Sequence, residues 1–513
     1  MGRPRLDAGG AAAHTARPTM RPFDLAVLVL YLGGTLALGL WVSRRNRGPR
    51  DFMAAGGRIP TWAVGLSIFG TYVSSISFLA LPSKAYSGDW NTFVFSLSLP
   101  LAAWLATRYF VPFYRHSGEL SAYEHLERRF GFWARTYAVV CYLLTQVART
   151  GTIMYLLALA LSPLTGWGVP ALILLTSTLV ILYTFFGGME AVVWTDVVQS
   201  LVFIAGAAAC VGILLFGMPA GPGQLFAIAA EHHKFSLGAW SADLSQPTFW
   251  VVLAYGLVIN LQNFGIDQTF VQRYHTARSE AAAAKSVWTG ALLYLPISAV
   301  FLFIGTGLFA FYTARPELLP RELATEGDKV FPHFIVTQLP VGLTGLVIAA
   351  IFAAAQSTLS SSMNCSATLV LCDVYKRYFR PDAGERESLW VLRWTTLAAG
   401  LLGTGAALAM MRVKSALDAW WDWAGIFSGG MLGLFLLGLV SRRARNTDAA
   451  LGVVTGVLVI VWMTLSTKAG WPAEWAAWKS PFHSFLTTVF GTASILVVGL
   501  VLARLRGKKT APR

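Results

Sequence analysis

Apolar runs of about twenty residues, the length that crosses a bilayer core as a helix, recur from one end of this chain to the other, with short polar stretches between them. The pattern predicts about thirteen spans: 23–43, 62–82, 91–113, 135–163, 169–186, 189–216, 247–268, 285–312, 341–372, 389–411, 416–440, 448–466 and 483–504. No polar segment exceeds about thirty residues, which leaves no room for a soluble catalytic or nucleic-acid-binding domain. The expectation is an all-α polytopic membrane protein.

Two spans break the apolar pattern. The second, TWAVGLSIFGTYVSSISFLALPSKAY, is polar at its centre, with Gly70, Thr71, Ser74, Ser75 and Ser77. The seventh, VVLAYGLVINLQNFGIDQTFVQ, carries Asn260, Gln262, Asn263, Gly265 and Asp267. Small and hydroxyl residues can simply pack helices closely, but this density of polar groups favours a broken helix. Polar, glycine-containing spans at matching positions of two halves point to an inverted-repeat transporter. On spacing, one five-helix repeat covers 61–216 and the other 247–441. An extra helix at 23–43 precedes them, two peripheral helices at 447–505 follow, and tails occupy 1–22 and 506–513.

Charge inside such spans demands an explanation. Arg149 lies in the middle of the greasy stretch from Tyr137 to Leu164. A guanidinium there costs between roughly 2.5 and 17 kcal/mol unless relieved, so an acidic side chain or an arriving anion must meet it. Asp196, near the start of the sixth span, poses the same problem with opposite sign; its partner is either Arg149 or a cation. The ninth span reads AAIFAAAQSTLSSSMN over 349–364. Ser357, Ser360 and Ser361 share one face there, with Ala354 one turn before them and Thr358 adjacent. Neutral hydroxyls in a membrane suit a hard monovalent cation, although interhelical hydrogen bonding would use them too.

The net charge of +15 first invites a nucleic-acid reading. Its distribution argues for topology instead. With the C-terminus inside, the inner loops collect Arg44, Arg45, Arg47, Arg50, Arg58, Arg115, Arg128, Arg129, Arg273, Arg278, Arg442, Arg443 and Arg445, and the outer loops are basic-poor. This places the chain in the inner cell membrane with its N-terminus outside and its C-terminus cytoplasmic. The arginine-bearing tract before Met20 has no apolar signal core, and Met20 is the expected initiator. Cys141, Cys210, Cys365 and Cys372 all fall within spans and read as small buried residues. No metalloprotease, nucleophile-elbow or phosphate-loop motif is present, so an enzyme is not expected.

Several of these residues together resemble the sodium:solute symporter family, a branch of the LeuT-type fold. The resemblance rests on YTFFGGMEAVVWTD (183–196), the hydroxyl helix at 353–361 and the GR-x-P-x-WAVG opening at 57–65, and it covers roughly 23–445. Within the family, SSISFLALPSKAYSGDW (74–90), SAYEHLERRF (121–130), ARTGTIMYLLALAL (148–161) and NLQNFGIDQTFVQRY (260–274) are most similar to bacterial sodium-coupled sialic acid symporters.

The resemblance implies a 5+5 repeat with one helix before and two after, and Na+ as the coupling ion. It implies that Arg149 clamps a substrate carboxylate in a pocket also lined by Tyr72, Ser74, Ser77, Ser96, Asn260, Gln262 and Asn263. One sodium site would use Gly70, Val73, Ala354, Ser357 and Thr358. A second would use Asp196, Ser357, Ser360 and Ser361. Tyr72 is bulkier, and Ser96 shorter, than the residues expected there, which points to a re-shaped pocket. The expected protein works as a monomer in the bilayer, on a small anionic solute such as an acidic sugar. The alternative is a neutral sugar, polyol or amino acid, with Arg149 in a structural ion pair to Asp196 or Asp267.

Overall fold

A computed structural model describes residues 20–412, 429–468 and 470–509. Among them the chain is helical throughout, its one β-type contact being a single bridge between Ile59 and Ala277. Helix α1 is Pro22–Ser43, α2 Thr61–Tyr72 and α3 Ser75–Ser87. The bent span α4 runs Phe93–Ser117, followed by α5 Phe132–Thr165 and α6 Val169–Phe216. Then come α7 Phe249–Ile266, α8 Gln268–Thr276, α9 Glu280–Ala314, α10 Leu343–Leu369 and α11 Glu385–Met410. The last three are α12 Met431–Val440, α13 Asn446–Ser466 and α14 Leu486–Lys509.

Ten of the described helices are long and apolar enough to cross a membrane, eleven if the bent pair α2–α3 is one span. The difference from the expected thirteen lies at two places. Two expected spans, 169–186 and 189–216, are arms of the single 48-residue element α6. Gly188 breaks it at φ 55, ψ −149, a conformation L side chains avoid, and a Cβ there would sit 2.7 Å from the Phe52 carbonyl oxygen. The eleventh, 416–440, lies largely outside the described residues, with only its end seen as α12. Residues 1–19 of the expected tail, the tract before the expected start at Met20, also lie outside them.

Both polar spans are broken. After α2, Val73 (φ −80, ψ 123) and Ser74 (φ −120, ψ 169) are extended, and the Ser74 hydroxyl caps α3 by accepting from the Ser77 amide at 3.4 Å. After α7, Asp267 (φ −74, ψ 122) is extended and its carboxylate caps α8, accepting from the Thr269 amide at 2.7 Å. Small polar side chains thus take over backbone groups that lipid could not satisfy.

Helix α10 is buried over almost its whole length. Its alanines and serines make it thin enough to sit at the centre, where α6, α5, α1 and α11 pack around it. The extra helix α1 fixes its position. Asp24, buried at 1% exposure, accepts from the Gly342 amide at 2.7 Å and the Gly345 amide at 2.9 Å, so a carboxylate meets the positive end of α10. One turn and more along α1, the Tyr31 hydroxyl donates to Gln356 at 2.7 Å. Replacing Asp24 with Ala strands two buried amides, and a loss of about 1–3 kcal/mol is expected. Thermal unfolding in detergent should show a clear drop in midpoint; an unchanged midpoint would remove Asp24 as the anchor of α10.

Candidate substrate cavity and cation sites

A cavity of about 630 Å³ opens beside the two breaks. Its inner wall carries Tyr72, Ser74 and Ser77 from α2–α3, Gln146 and Arg149 from α5, Gln262 and Asn263 from α7, and Asp267 from the break after it. Its outer wall carries Thr464, Thr467, Ser484, Thr487 and Thr488 around the α13–α14 connection. The opposite end of the molecule, where α13 begins at Asn446 beside Trp133, is closed by ion pairs. There Arg135 meets Asp373 and Glu127, the latter at 2.9 Å, and Ser121 donates to Asp373 at 2.8 Å.

Arg149 faces the cavity half-buried. Among the described residues it makes no ion pair or hydrogen bond to Asp196 or Asp267. Asp267 is engaged by Tyr142 at 3.2 Å and by the α8 cap. Nearby, Gln146 Oε1 and Gln262 Oε1 are buried without a hydrogen-bond partner. The Arg149 guanidinium and two unsatisfied acceptors lining one space suit a ligand that carries both negative charge and hydroxyl donors.

Of the expected pocket residues, Arg149, Tyr72, Ser74, Ser77, Gln262 and Asn263 line this cavity. Ser96 and Asn260 do not; this corrects the expectation. Both are buried, and Asn260 lies in the α4–α7 contact, where it donates to the Phe95 carbonyl at 3.2 Å and to Ser98 at 2.8 Å. Tyr72 is also more than a wall. Its hydroxyl donates to Asn260 and accepts from Asn263 at 3.2 Å, and its ring packs on Phe264, Phe270 and Tyr294. It ties one broken helix to the other.

The groups expected to hold the first sodium converge between α2 and α10. The Thr358 hydroxyl lies 3.5 Å from the Val73 carbonyl oxygen and 3.4 Å from that of Ala354. A Cβ on Gly70 would stand 3.1 Å from Ser357 Oγ and 2.9 Å from Ser200 Oγ. Only a residue without a side chain lets α2 approach this closely.

The expected second set is assembled as well, around an unforeseen member. Asp196 accepts from Ser67 at 2.5 Å, from Ser357 at 2.6 Å and from Arg273 Nη2 at 2.8 Å. The same Nη2 donates to Ser361 at 2.6 Å, and Arg273 Nε donates to Ser67 at 2.8 Å. Ser360 turns instead to the Ser357 carbonyl at 3.2 Å. Arg273 is fully buried on α8, so its placement in an inner loop is corrected. The Asp196 carboxylate is paired with Arg273, not with Arg149. Arg273, Ser67 and Gln146 were missed because α8 is too polar to read as a membrane segment and Ser67 lies in an apolar run.

Discontinuous helices flanking a cavity, with oxygen clusters behind it, are the architecture of an ion-coupled secondary transporter. The sodium:solute symporter family matches residues 52–456, and the chain belongs to that family. It is 35% identical to the sodium/sialic acid symporter NanT of Aliivibrio fischeri, over 93% of this chain and 92% of the relative. Identity to the sodium/sialic acid symporter SiaT of Proteus mirabilis is also 35%, over 94% and 95%. The substrate-bound, outward-open structure of a Na+-coupled sialic acid symporter superposes with a TM-score of 0.86 at 33% identity, covering 94% of this chain and 98% of that one. The protein is thus a multi-pass, sodium-coupled transporter and not an enzyme.

Gly70→Ala tests the α2–α10 approach. The added methyl must push Ser200 and Ser357 apart, and at least a tenfold rise in the sodium concentration for half-maximal transport is expected. An unchanged sodium dependence would remove the Gly70–Ser357 contact from the cation path.

Proposed function

We propose that this protein imports sialic acid, or a closely related acidic sugar, together with sodium by alternating access. The observation that carries the reading is Arg149, a cation facing a cavity of ligand size with no acidic partner among the described residues. The names of the two relatives and of the superposed structure agree with it. In this reading Arg149 takes the carboxylate through two parallel N–H donors, and Ser74, Ser77, Gln146, Gln262 and Asn263 meet the hydroxyls. Tyr72 sets the depth of the pocket. The alternative pairing of Arg149 with Asp196 loses its support, because Asp196 already has a buried arginine.

Gly70, Val73, Ala354, Ser357 and Thr358 would hold one sodium. Asp196, Ser357, Ser360 and Ser361 would hold a second. Two sodium ions moving with one monoanion carry a net positive charge. A tenfold sodium gradient provides about 1.4 kcal/mol per ion and a potential of 100 mV about 2.3 kcal/mol per charge. Together they sustain roughly several-thousand-fold accumulation, against about tenfold for a single sodium in an electroneutral cycle.

The orientation follows from the basic loops: C-terminus cytoplasmic, N-terminus outside, the cavity mouth at Thr467 and Thr487 facing out, and the Arg135–Asp373–Glu127 closure facing in. The monomer contains every group named, so we take it as the working unit in the bilayer.

Arg149→Gln keeps hydrogen-bonding capacity and removes the charge. Truncating one side of a buried charged pair costs about 2–5 kcal/mol, so sialic acid affinity should fall at least thirtyfold. Sodium-dependent binding to the purified protein measures it, with the sialic acid carboxamide as the uncharged control. Equal binding of acid and carboxamide by the wild-type protein, or wild-type affinity in Arg149→Gln, would refute the anion clamp.

A further inference from the structure

Two cations are assigned to one carboxylate. Asp196 is the only ionised ligand in the second sodium set, and Arg273 already neutralises it. Nη2 of Arg273 lies 2.8 Å from Asp196 Oδ2 and 2.6 Å from Ser361 Oγ. An ion in contact with both of those oxygens would occupy the space that Nη2 fills. The lone pairs on Ser361 and Ser67 that face Arg273 are also taken, because both hydroxyls accept from it. Asp196 and Arg273 are both sealed at 0% exposure, so little solvent screens a second cation from the first.

We propose that Arg273 is the resident counter-cation of Asp196 and that it exchanges with the second sodium: the ion binds only when the guanidinium withdraws. Three features of the structure favour exchange over a permanent pair. Arg273 belongs to α8, the segment that starts at the Asp267 break, so its backbone is joined to α7 by a single extended residue. Its partners stand on three other elements: Ser67 on α2, Asp196 on α6 and Ser361 on α10. A second acceptor stays with it on α8, the Thr269 carbonyl, to which Nη1 donates at 2.6 Å. When α8 moves, Arg273 keeps that bond, and Asp196, Ser357 and Ser361 are left as a bare carboxylate with two hydroxyls. Such a set favours a monovalent cation.

Exchange makes the number of sodium ions per cycle depend on Arg273. The guanidinium stays in the protein while the sodium is added, so each exchange adds one positive charge to the loaded state. It also releases the contact that joins α2 and α8 to α6 and α10. The proposal rests on the two-sodium reading above.

The test is a sodium titration of purified, full-length protein, followed by sialic acid binding and by intrinsic fluorescence, in Arg273→Gln, Asp196→Asn and the double variant. Removing the competitor should lower half-saturation of the Asp196-dependent sodium at least tenfold in Arg273→Gln. Asp196→Asn should abolish that component in both backgrounds and lower the sodium-to-substrate ratio by one. A folded Arg273→Gln with unchanged or weaker sodium binding overturns the exchange.

If Arg273→Gln does not fold, Arg273→Lys decides. It keeps the charge but reaches fewer oxygens at once, so half-saturation should fall at least threefold, and no shift again overturns the exchange. Wild-type protein that binds sialic acid without any sodium dependence would instead sink the symport reading, and the exchange with it. Sodium dependence that is intact in wild type and unaltered in the Arg273 variants would sink the exchange alone.

Discussion

A charge in the interior of a bilayer must be met by another charge or by a dense shell of dipoles. The centre of this protein is organised around that demand. Asp196, Arg273, Ser67, Ser357 and Ser361 come from four different elements, yet each oxygen and nitrogen in the cluster finds a partner. Removing one member would leave the rest desolvated and unpaired, at a cost of about 3–5 kcal/mol for the ion pair alone. The cluster therefore holds α2, α6, α8 and α10 in register more firmly than apolar packing could. Lipid tails compete with apolar contacts between helices, whereas they offer nothing to a carboxylate.

The broken helices obey the same constraint on the backbone. Breaking α2–α3 and α7–α8 frees amides and carbonyls at mid-membrane, and side chains at the breaks take some of them up locally. Ser74 and Asp267 cap the helices that follow, while the Val73 carbonyl turns toward Thr358. Helix α8 extends the principle. Gln268, Thr269, Gln272, Arg273 and Thr276 are all fully buried. Gln268 donates to the Leu120 carbonyl at 2.7 Å, and Gln272 donates to Asn364 at 2.8 Å and Thr368 at 3.0 Å. A polar helix is stable inside a membrane protein when other protein surrounds it on every side.

That arrangement explains what could be read from the chain beforehand. Apolar runs of bilayer length, two polar interruptions and a face of serines each leave a local mark in the sequence. The spans, the breaks and the hydroxyl helix were legible for that reason. Arg149 was legible because it is isolated: a lone charge in an apolar run stands out. Arg273 was not, because its surroundings are polar and hydropathy makes QTFVQRYHT indistinguishable from a loop. Ser96 and Asn260 failed differently. Each is a polar residue in the right span, but only the rotation of α4 against α7 decides whether it faces the cavity or the helix contact, and a one-residue reading of a helix face does not settle that. The expected spans 169–186 and 189–216 meet at Gly188, where a single glycine bends one continuous element into two arms without any loop to mark the join.

The two interior arginines sharpen the division of labour in the site. Both carry the same planar donor array and both sit where lipid-facing helices would be apolar. Arg273 is enclosed and fully matched, with Asp196, Ser67, Ser361 and the Thr269 carbonyl taking its donors. Arg149 borders open space and has no such set among the described residues. A protein that needed both charges only for stability would have satisfied both, since an unmatched guanidinium is the more costly arrangement. Leaving one unmatched at the wall of a reachable cavity keeps a deficit there that a carboxylate arriving from outside can fill. The difference in enclosure, more than the residue type, separates the arginine that holds the helices together from the one that waits for the solute.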